Sequence, residues 1–302
     1  MPPFLITGPT ASGKSALALE LAQCWGAAIC SVDAFQIYRS MDIGTGKAPA
    51  AERAQVPHHL LDIAEPASPF SVADYLKAAK KVVKDVGDRQ PLLWVGGTGL
   101  FVRALREGLS PAPESDPEQV KELSTWPLER LQTEIRKLDP VWCEHADLKN
   151  PRRIIRALAV VLHTGRPLSE WQQEKKPALL PYVGGIFLQP ERELNLRQIA
   201  ERVCKMWDSG WPEEVKTLLQ IPGWRESQSA KAIGYLEIAE HLSGGIGREE
   251  CLEKIILHTG QYAKRQMTWF RAEKNLKPIP YKSLEELTNL SRKMKDAPAS
   301  FL

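Results

Sequence analysis

The sequence predicts an α/β fold: a parallel sheet core, an inserted all-helical domain and a helical C-terminal region. Three observations carry that expectation. The apolar run Phe4 to Thr7 leads into Gly8-Pro-Thr-Ala-Ser-Gly13-Lys14-Ser15 and then an Ala/Leu-rich helical pattern, the strand–loop–helix context of a phosphate-binding loop. Further short apolar runs, Ala27 to Val32 and Pro91 to Val95, read as strands covered on both faces. Beyond the proline-rich stretch Ser110 to Pro117, the periodicity turns helical.

Taken in order, the loop supplies Gly8, Pro9, Thr10, Ala11, Ser12, Gly13, Lys14 and Ser15 to a diphosphate. Its glycines let backbone N–H groups turn inward, Lys14 adds a cation, and Ser15 is positioned to ligate Mg²⁺ at the positive helix end. The helix runs to a stop at Gly26. The second strand delivers Asp33 at its carboxyl end, where ligands of open α/β sheets sit, and this makes Asp33 the leading candidate for a base. An Asp capping the next helix is the alternative. Asp33 to Gly46 has no periodicity and reads as a shaped binding loop. Pro57 to Ile63 reads as a further strand with its entry, with His58 and His59 in packing or loop contacts, and Ser71 with Asp74 opens an amphipathic helix. The Pro91 strand ends in Gly96-Gly-Thr98-Gly99 instead of the acid that a hydrolytic phosphate-loop enzyme places there. Thr98 can donate to a ligand oxygen or simply cap the helix that follows.

The insertion is expected over 113–182, between a first core part at 1–112 and a continuation at 183–302. Its helix from Pro151 opens with Arg152, Arg153 and Arg156 around Ile154 and Ile155, cations that oppose the helix dipole. Phosphate-backbone contact would account for them, and a solvated face is the alternative. Gly184 to Leu188 returns to the sheet, Asn195 to Asp208 is helical and carries Arg202, and Glu249 to Arg271 mixes Lys264, Arg265 and Arg271 with Tyr262, Trp269 and Phe270, a pattern suited to an RNA loop. From Lys277 a small terminal helix and a loose end are expected.

Composition narrows the class. The chain has 302 residues, 43% hydrophobic, enough for a sizeable core, and a net charge of +3, too slight by itself to argue for a polyanionic partner. Its five cysteines are scattered without a CxxC pair, so buried thiols are expected instead of disulfides or zinc. No apolar run reaches the ~18 residues of a membrane span, and Met1-Pro-Pro-Phe leads straight into a strand, so a cytoplasmic protein without a membrane partner is expected.

Read together, the phosphate loop, Ser31 to Lys47, Pro57-His-His-Leu-Leu-Asp62, Gly96-Gly-Thr-Gly-Leu100, Ala232-Ile-Gly-Tyr235 and Tyr262-Ala-Lys-Arg-Gln266 resemble the bacterial tRNA dimethylallyltransferases (tRNA isopentenyltransferases) from Phe4 to about Asn275. The resemblance implies a P-loop NTPase-like core with a helical insertion. It further implies transfer of the dimethylallyl group of dimethylallyl diphosphate to the exocyclic amine of the adenine beside the anticodon (position 37), with Mg²⁺ as cofactor, tRNA as partner and a monomer. Carried over, it makes Asp33 the general base, sets Thr98 beside the leaving oxygen, and gives Arg202 the departing diphosphate. It assigns Asp33, Ala34, Phe35, Gln36, Thr98, Arg152, Arg153, Ile154, Ile155, Arg156, Lys231, Gly234, Tyr235, Lys264 and Arg265 to tRNA. The chain departs from the pattern at Phe101, where tyrosine is common, and at Gln198 and Gly260, where cations are. A prenyltransferase acting on free adenine nucleotides and a small-molecule kinase are the competing readings; neither has a use for both the arginine-bearing insertion and Gly96-Gly-Thr98.

Overall fold

The computed structural model describes residues 3–174, 177–181, 183–273 and 275–296. The end expected to be loose and Tyr182, the last residue of the expected insertion, lie outside them. Strands β1 (Phe4–Thr7), β2 (Ala28–Ser31), β3 (His58–His59), β4 (Leu92–Gly96), β5 (Gly184–Pro190) and β6 (Lys277–Tyr281) form one sheet in the order β3-β2-β4-β1-β5-β6. Every pairing is parallel. The register aligns Thr7 with Gly96 and Ser31 with Val95, so β1, β4 and β2 end side by side. The phosphate loop, the Gly96-Gly-Thr turn and Asp33 therefore leave the sheet from adjacent strands at one edge.

Between these strands run α1 (Lys14–Trp25), α2 (Ala50–Gln55), α3 (Val72–Val86) and α4 (Gly99–Glu107). The Ser71–Asp74 capping box opens α3 as expected, because each side chain satisfies the other's orphan backbone N–H. Leu17, Ala18 and Leu21 of α1 pack with Phe4, Ile6, Val95, Ile186 and Leu188 of the sheet in the main core.

Two departures from expectation have local causes. The strand expected over Pro57 to Ile63 is only His58–His59, because Leu60 and Asp62 take positive φ (66° and 56°) and turn the chain out of the ladder. From Lys277 only a small terminal helix and a loose end are expected, yet Lys277–Tyr281 is strand β6. It is an edge strand, where Pro278 and Pro280 cost no ladder hydrogen bond on the open side.

A second compact unit runs from Glu107 to Leu179. It holds α5 (Pro117–Ser124), α6 (Leu128–Leu138), α7 (Pro140–Cys143), α8 (Pro151–Thr164) and α9 (Leu168–Gln173). The proline-rich stretch Ser110 to Pro117 lies near the start of this unit, where Ser110 Oγ donates to the Trp171 carbonyl at 2.8 Å. Leu131, Ile135, Ile154 and Leu158 form its core. Asp139, 1% exposed, ties α7 to α9 by accepting from Trp142 N, Ser169 N and Ser169 Oγ.

The first unit resumes with β5 and continues through α10 (Arg192–Asp208), α11 (Trp211–Leu218), α12 (Tyr235–Leu242), α13 (Arg248–Arg271), β6 and α14 (Leu284–Asp296). Among the cysteines only Cys30 and Cys251 are buried. Cys24 and Cys204 are exposed, lying on the outer faces of helices whose other stripes face the core. Among the described residues, no helix is long and apolar enough to cross a membrane.

Candidate active site

The phosphate loop curls as its sequence requires. Gly13 takes φ 72° as the cap of α1, a left-handed conformation open to glycine at little cost, and a Cβ there would lie 2.5 Å from Leu287. The loop's carbonyls are engaged by side chains: its own Lys14 Nζ donates to Pro9 O (3.1 Å), Asn195 Nδ2 to Thr10 O (3.0 Å), and the Tyr281 hydroxyl to Ser12 O (2.8 Å). The first N–H groups of α1, which have no partner within the helix, are left for an anion. The buried Ser12 Oγ likewise has no partner.

Asp33 follows directly on β2. Its Oδ1 accepts from Phe35 N (2.9 Å) and Gln36 N (3.3 Å), which fixes the carboxylate. Thr98 Oγ1 accepts from Ala34 N at 3.1 Å, tying the turn after β4 to the one after β2. The Thr98 hydroxyl also pairs with the Tyr262 hydroxyl, a contact that opposes the upward push of burial on Tyr262. Gln36 Nε2 reaches the Thr45 and Gly46 carbonyls, while Ser31 Oγ donates to its Oε1.

Two cavities meet here. One, about 500 Å³, is lined by Lys14, Ser15, Gln36, Gln198 and Lys205, among others. The second, about 290 Å³, is lined by Phe35, Met206, Trp211, Lys231, Tyr262 and Arg265, among others. Both include Ala11, Asp33 and Arg202. The first is lined by the glycine-rich loop and cations and the second by aromatic and apolar side chains, with an acid and a cation at the partition.

The electrostatics match that division. Burial, then the neighbouring Arg202, pull the Lys14 ammonium down to about 8, with Asp33 opposing. Burial also lowers Arg202, again against Asp33. Two cations that disfavour each other in a desolvated chamber are a standing demand for an anion. Divalent-metal donors along the first cavity are the exposed Ser15 hydroxyl, the Asp33, Glu52 and Glu201 carboxylates and His58, but no cluster of three His, Cys, Asp or Glu forms among the described residues. That donor set suits Mg²⁺ held chiefly by phosphate oxygens and water, with one or two protein oxygens.

A model of the IPP transferases matches residues 36–273. The chain belongs to the IPP transferase family. Among its relatives in that family, the tRNA dimethylallyltransferase of Geobacter metallireducens is 42% identical over 283 residues, covering 92% of each chain. That of Syntrophobacter fumaroxidans is 39% identical over 280 residues, covering 90% of this chain and 82% of the other. The solved tRNA isopentenylpyrophosphate transferase of Bacillus halodurans superposes with a TM-score of 0.69 at 32% identity, covering 98% and 96%. A eukaryotic dimethylallyltransferase described as acting on tRNA shares the fold at TM-score 0.83 and 23% identity, covering 99% and 80%.

Within this IPP transferase, the residues expected to meet tRNA fall into three groups. Asp33, Phe35, Lys231 and Arg265 line the second cavity, Ala34 bonds to Thr98, and Lys264 is exposed on α13. Arg152 and Arg153 are exposed on α8 in the other unit, whereas Arg156 turns to Ser115 Oγ at 2.7 Å and is half-buried. Ile154, Ile155 and Tyr235 present no side chain to a partner: both isoleucines pack in the helical unit's core, and Tyr235 is fully buried. Gly234, also buried, has φ 99° and sits so close to Trp211 that a Cβ would lie 2.1 Å from its ring.

The departures from the family pattern have structural accounts. Phe101 stacks on Tyr75, with ring centroids 4.1 Å apart, inside the core. Gly260 lets α13 approach Leu196, which a Cβ would meet at 3.3 Å. Gln198 lines the first cavity with Oε1 unpartnered.

Sequence reasoning missed Lys205 and Trp211 as cavity residues, and Glu214, which holds the loop after β2, altogether. Tyr262 was legible as an aromatic one turn before Gln266. Glu214, an acid on a short helix, carries no local signal.

Proposed function

We propose that this chain transfers the dimethylallyl group of dimethylallyl diphosphate to the exocyclic amine of the adenine beside the anticodon of tRNA. The observation that carries this reading is the pair of cavities sharing Asp33 and Arg202, a design for two substrates that react at a common wall. The names of relatives that match over nine-tenths of the chain support the substrate class.

In this reading the phosphate loop, Lys14, Arg202 and Lys205 hold the diphosphate in the larger chamber. Bound Mg²⁺, ligated by Ser15, would add charge neutralisation on the same oxygens. The adenine enters the aromatic chamber, where Phe35 and Tyr262 offer stacking surfaces to an unpaired loop base while the buried Trp211 backs the wall. The nitrogen attacks the allylic carbon, its bond forms as the carbon–oxygen bond breaks, and the electron pair leaves on diphosphate. The proton passes to Asp33. Thr98, whose hydroxyl pairs with Tyr262 in the absence of substrate, turns its hydrogen to the leaving oxygen, where charge develops. Lys231, Lys264 and Arg265 meet the anticodon loop, and Arg152 and Arg153 meet phosphates elsewhere on the tRNA.

The test is transfer of labelled prenyl group from dimethylallyl diphosphate to a tRNA with adenine at position 37, with Mg²⁺. Transfer to tRNA is expected, and Asp33→Ala or Thr98→Ala should slow it at least a hundredfold, the scale of general-base or oxyanion contributions. Transfer to free AMP but not to tRNA would overturn the reading, as would phosphorylation of a small molecule by ATP.

A further inference from the structure

Gln266 lies on α13, 6% exposed, outside the lining of both cavities. Its Oε1 accepts from Thr10 N at 2.8 Å and its Nε2 donates to Gly97 O at 2.8 Å. The two bonds fall on two particular peptide groups. The carbonyl of the Pro9–Thr10 peptide accepts Lys14 Nζ at 3.1 Å, so its N–H and C=O are held by Gln266 and Lys14 respectively. The Gly97–Thr98 peptide is gripped the same way: its C=O by Gln266, its N–H by Val32 O at 3.3 Å. One side-chain amide thus spans the peptide that anchors the loop lysine and the peptide that carries Thr98. Space around it is set for a glutamine. A Cβ on Gly97 would stand 2.2 Å from Gln266 Nε2 and 3.1 Å from Gly8 O, so this glycine lets the amide close onto both turns.

We propose that Gln266 is a positioning residue for prenyl transfer, setting the separation between the phosphate loop with Lys14 and the Thr98 hydroxyl. This rests on the function proposed above. A leaving oxygen must meet Lys14 and Thr98 together, and a displacement of about 1 Å between such groups costs on the order of a hundredfold in rate. α13 also carries Tyr262 and Arg265 into the aromatic chamber. The helix that contacts the acceptor side therefore fixes the geometry of the donor side through Gln266.

Two variants test this. Gln266→Ala removes both bonds, together with the amide's contact to the Tyr262 hydroxyl. Gln266→Glu keeps an acceptor for Thr10 N, but as a carboxylate it faces Gly97 O without a hydrogen; protonated, it restores both bonds in nearly the same shape. The measurements are kcat and KM for transfer to tRNA, and the affinity for inorganic pyrophosphate with Mg²⁺ by calorimetry, from pH 6 to pH 8.5. Gln266→Ala is expected to lower kcat ten- to hundredfold with KM for tRNA within about threefold, and to weaken pyrophosphate about tenfold. For Gln266→Glu, kcat and pyrophosphate affinity relative to wild type should rise as pH falls, a dependence absent in Gln266→Ala. Wild-type kcat in Gln266→Ala, or a Gln266→Glu ratio flat with pH, would overturn the proposal. If wild-type protein transfers nothing to tRNA, the functional reading fails, and pyrophosphate affinity alone decides whether Gln266 sets the loop.

Discussion

Lys14 is a cation in surroundings that disfavour one. Burial and Arg202 bring its ammonium down to about 8 from an ordinary 10.5. The negative charge of a bound diphosphate outweighs both causes, so the bound form holds its proton to higher pH than the free form. Pyrophosphate affinity should therefore be level below about pH 8 and fall as pH rises through it, because binding must then recruit a proton. In Lys14→Met that component vanishes, and affinity drops roughly ten- to hundredfold at pH 7 with loss of a charge-assisted contact. Calorimetry on both proteins across pH 6.5 to 9.5 checks this, the ligand's own titration being common to the two. Parallel curves would remove Lys14 from the phosphate contacts. The sign for folding follows from the same shift. The unfolded chain binds the extra proton between about pH 8 and 10.5, so this group's contribution to stability rises with pH in that window.

At the scale of elements, the loop after β2 is held by a helix far away in sequence. Glu214 of α11 accepts from three successive amides, Asp42 N (2.7 Å), Ile43 N (2.7 Å) and Gly44 N (3.1 Å), and from the Tyr235 hydroxyl (2.7 Å). Consecutive N–H groups converging on a carboxylate form an anion nest. Burial, then Glu214, push the Tyr235 hydroxyl well above its ordinary range, so it stays a donor. The same loop ends at Gly46, where a Cβ would lie 1.9 Å from Arg202 Nη2, and its Thr45 and Gly46 carbonyls hold Gln36. Glu214 thus fixes the strip that separates the two chambers. Glu214→Gln, which places N–H against N–H at one amide, should cost about 1–3 kcal/mol, and Tyr235→Phe, which loses one bond of four, about 0.5–1.5 kcal/mol. Urea unfolding of the two variants gives the comparison, and an equal or smaller cost for Glu214→Gln would mean the nest does not stabilise the fold.

Across the whole molecule, what could be read in sequence is what local pattern determines. The phosphate loop, the buried strands on either side of it and Asp33 at a strand end follow from composition and order within a few residues. β6 was hidden because its prolines argue against a strand unless the open edge is known. The roles of Gln266, Glu214 and Asn195 were hidden because they bond to backbone groups 169 to 256 residues away, which no local periodicity encodes. The helical unit shows the reverse case. Its arginines were conspicuous in sequence, and the structure leaves Arg152 and Arg153 exposed at the start of α8, where each opposes the helix dipole without an ion pair to account for it among the described residues. If they meet tRNA phosphates, each neutralised phosphate releases counterions, and the slope of log affinity against log salt carries roughly 0.7–0.9 per contact. The double variant Arg152→Ala with Arg153→Ala should therefore flatten that slope by about 1–2 and weaken tRNA binding at low salt, while pyrophosphate affinity, set in the other unit, stays at the wild-type value. Filter binding of tRNA between 50 and 200 mM salt measures the slope. A slope equal to wild type would exclude this end of α8 from the interface and leave Lys231, Lys264 and Arg265 to carry the electrostatic share of tRNA binding.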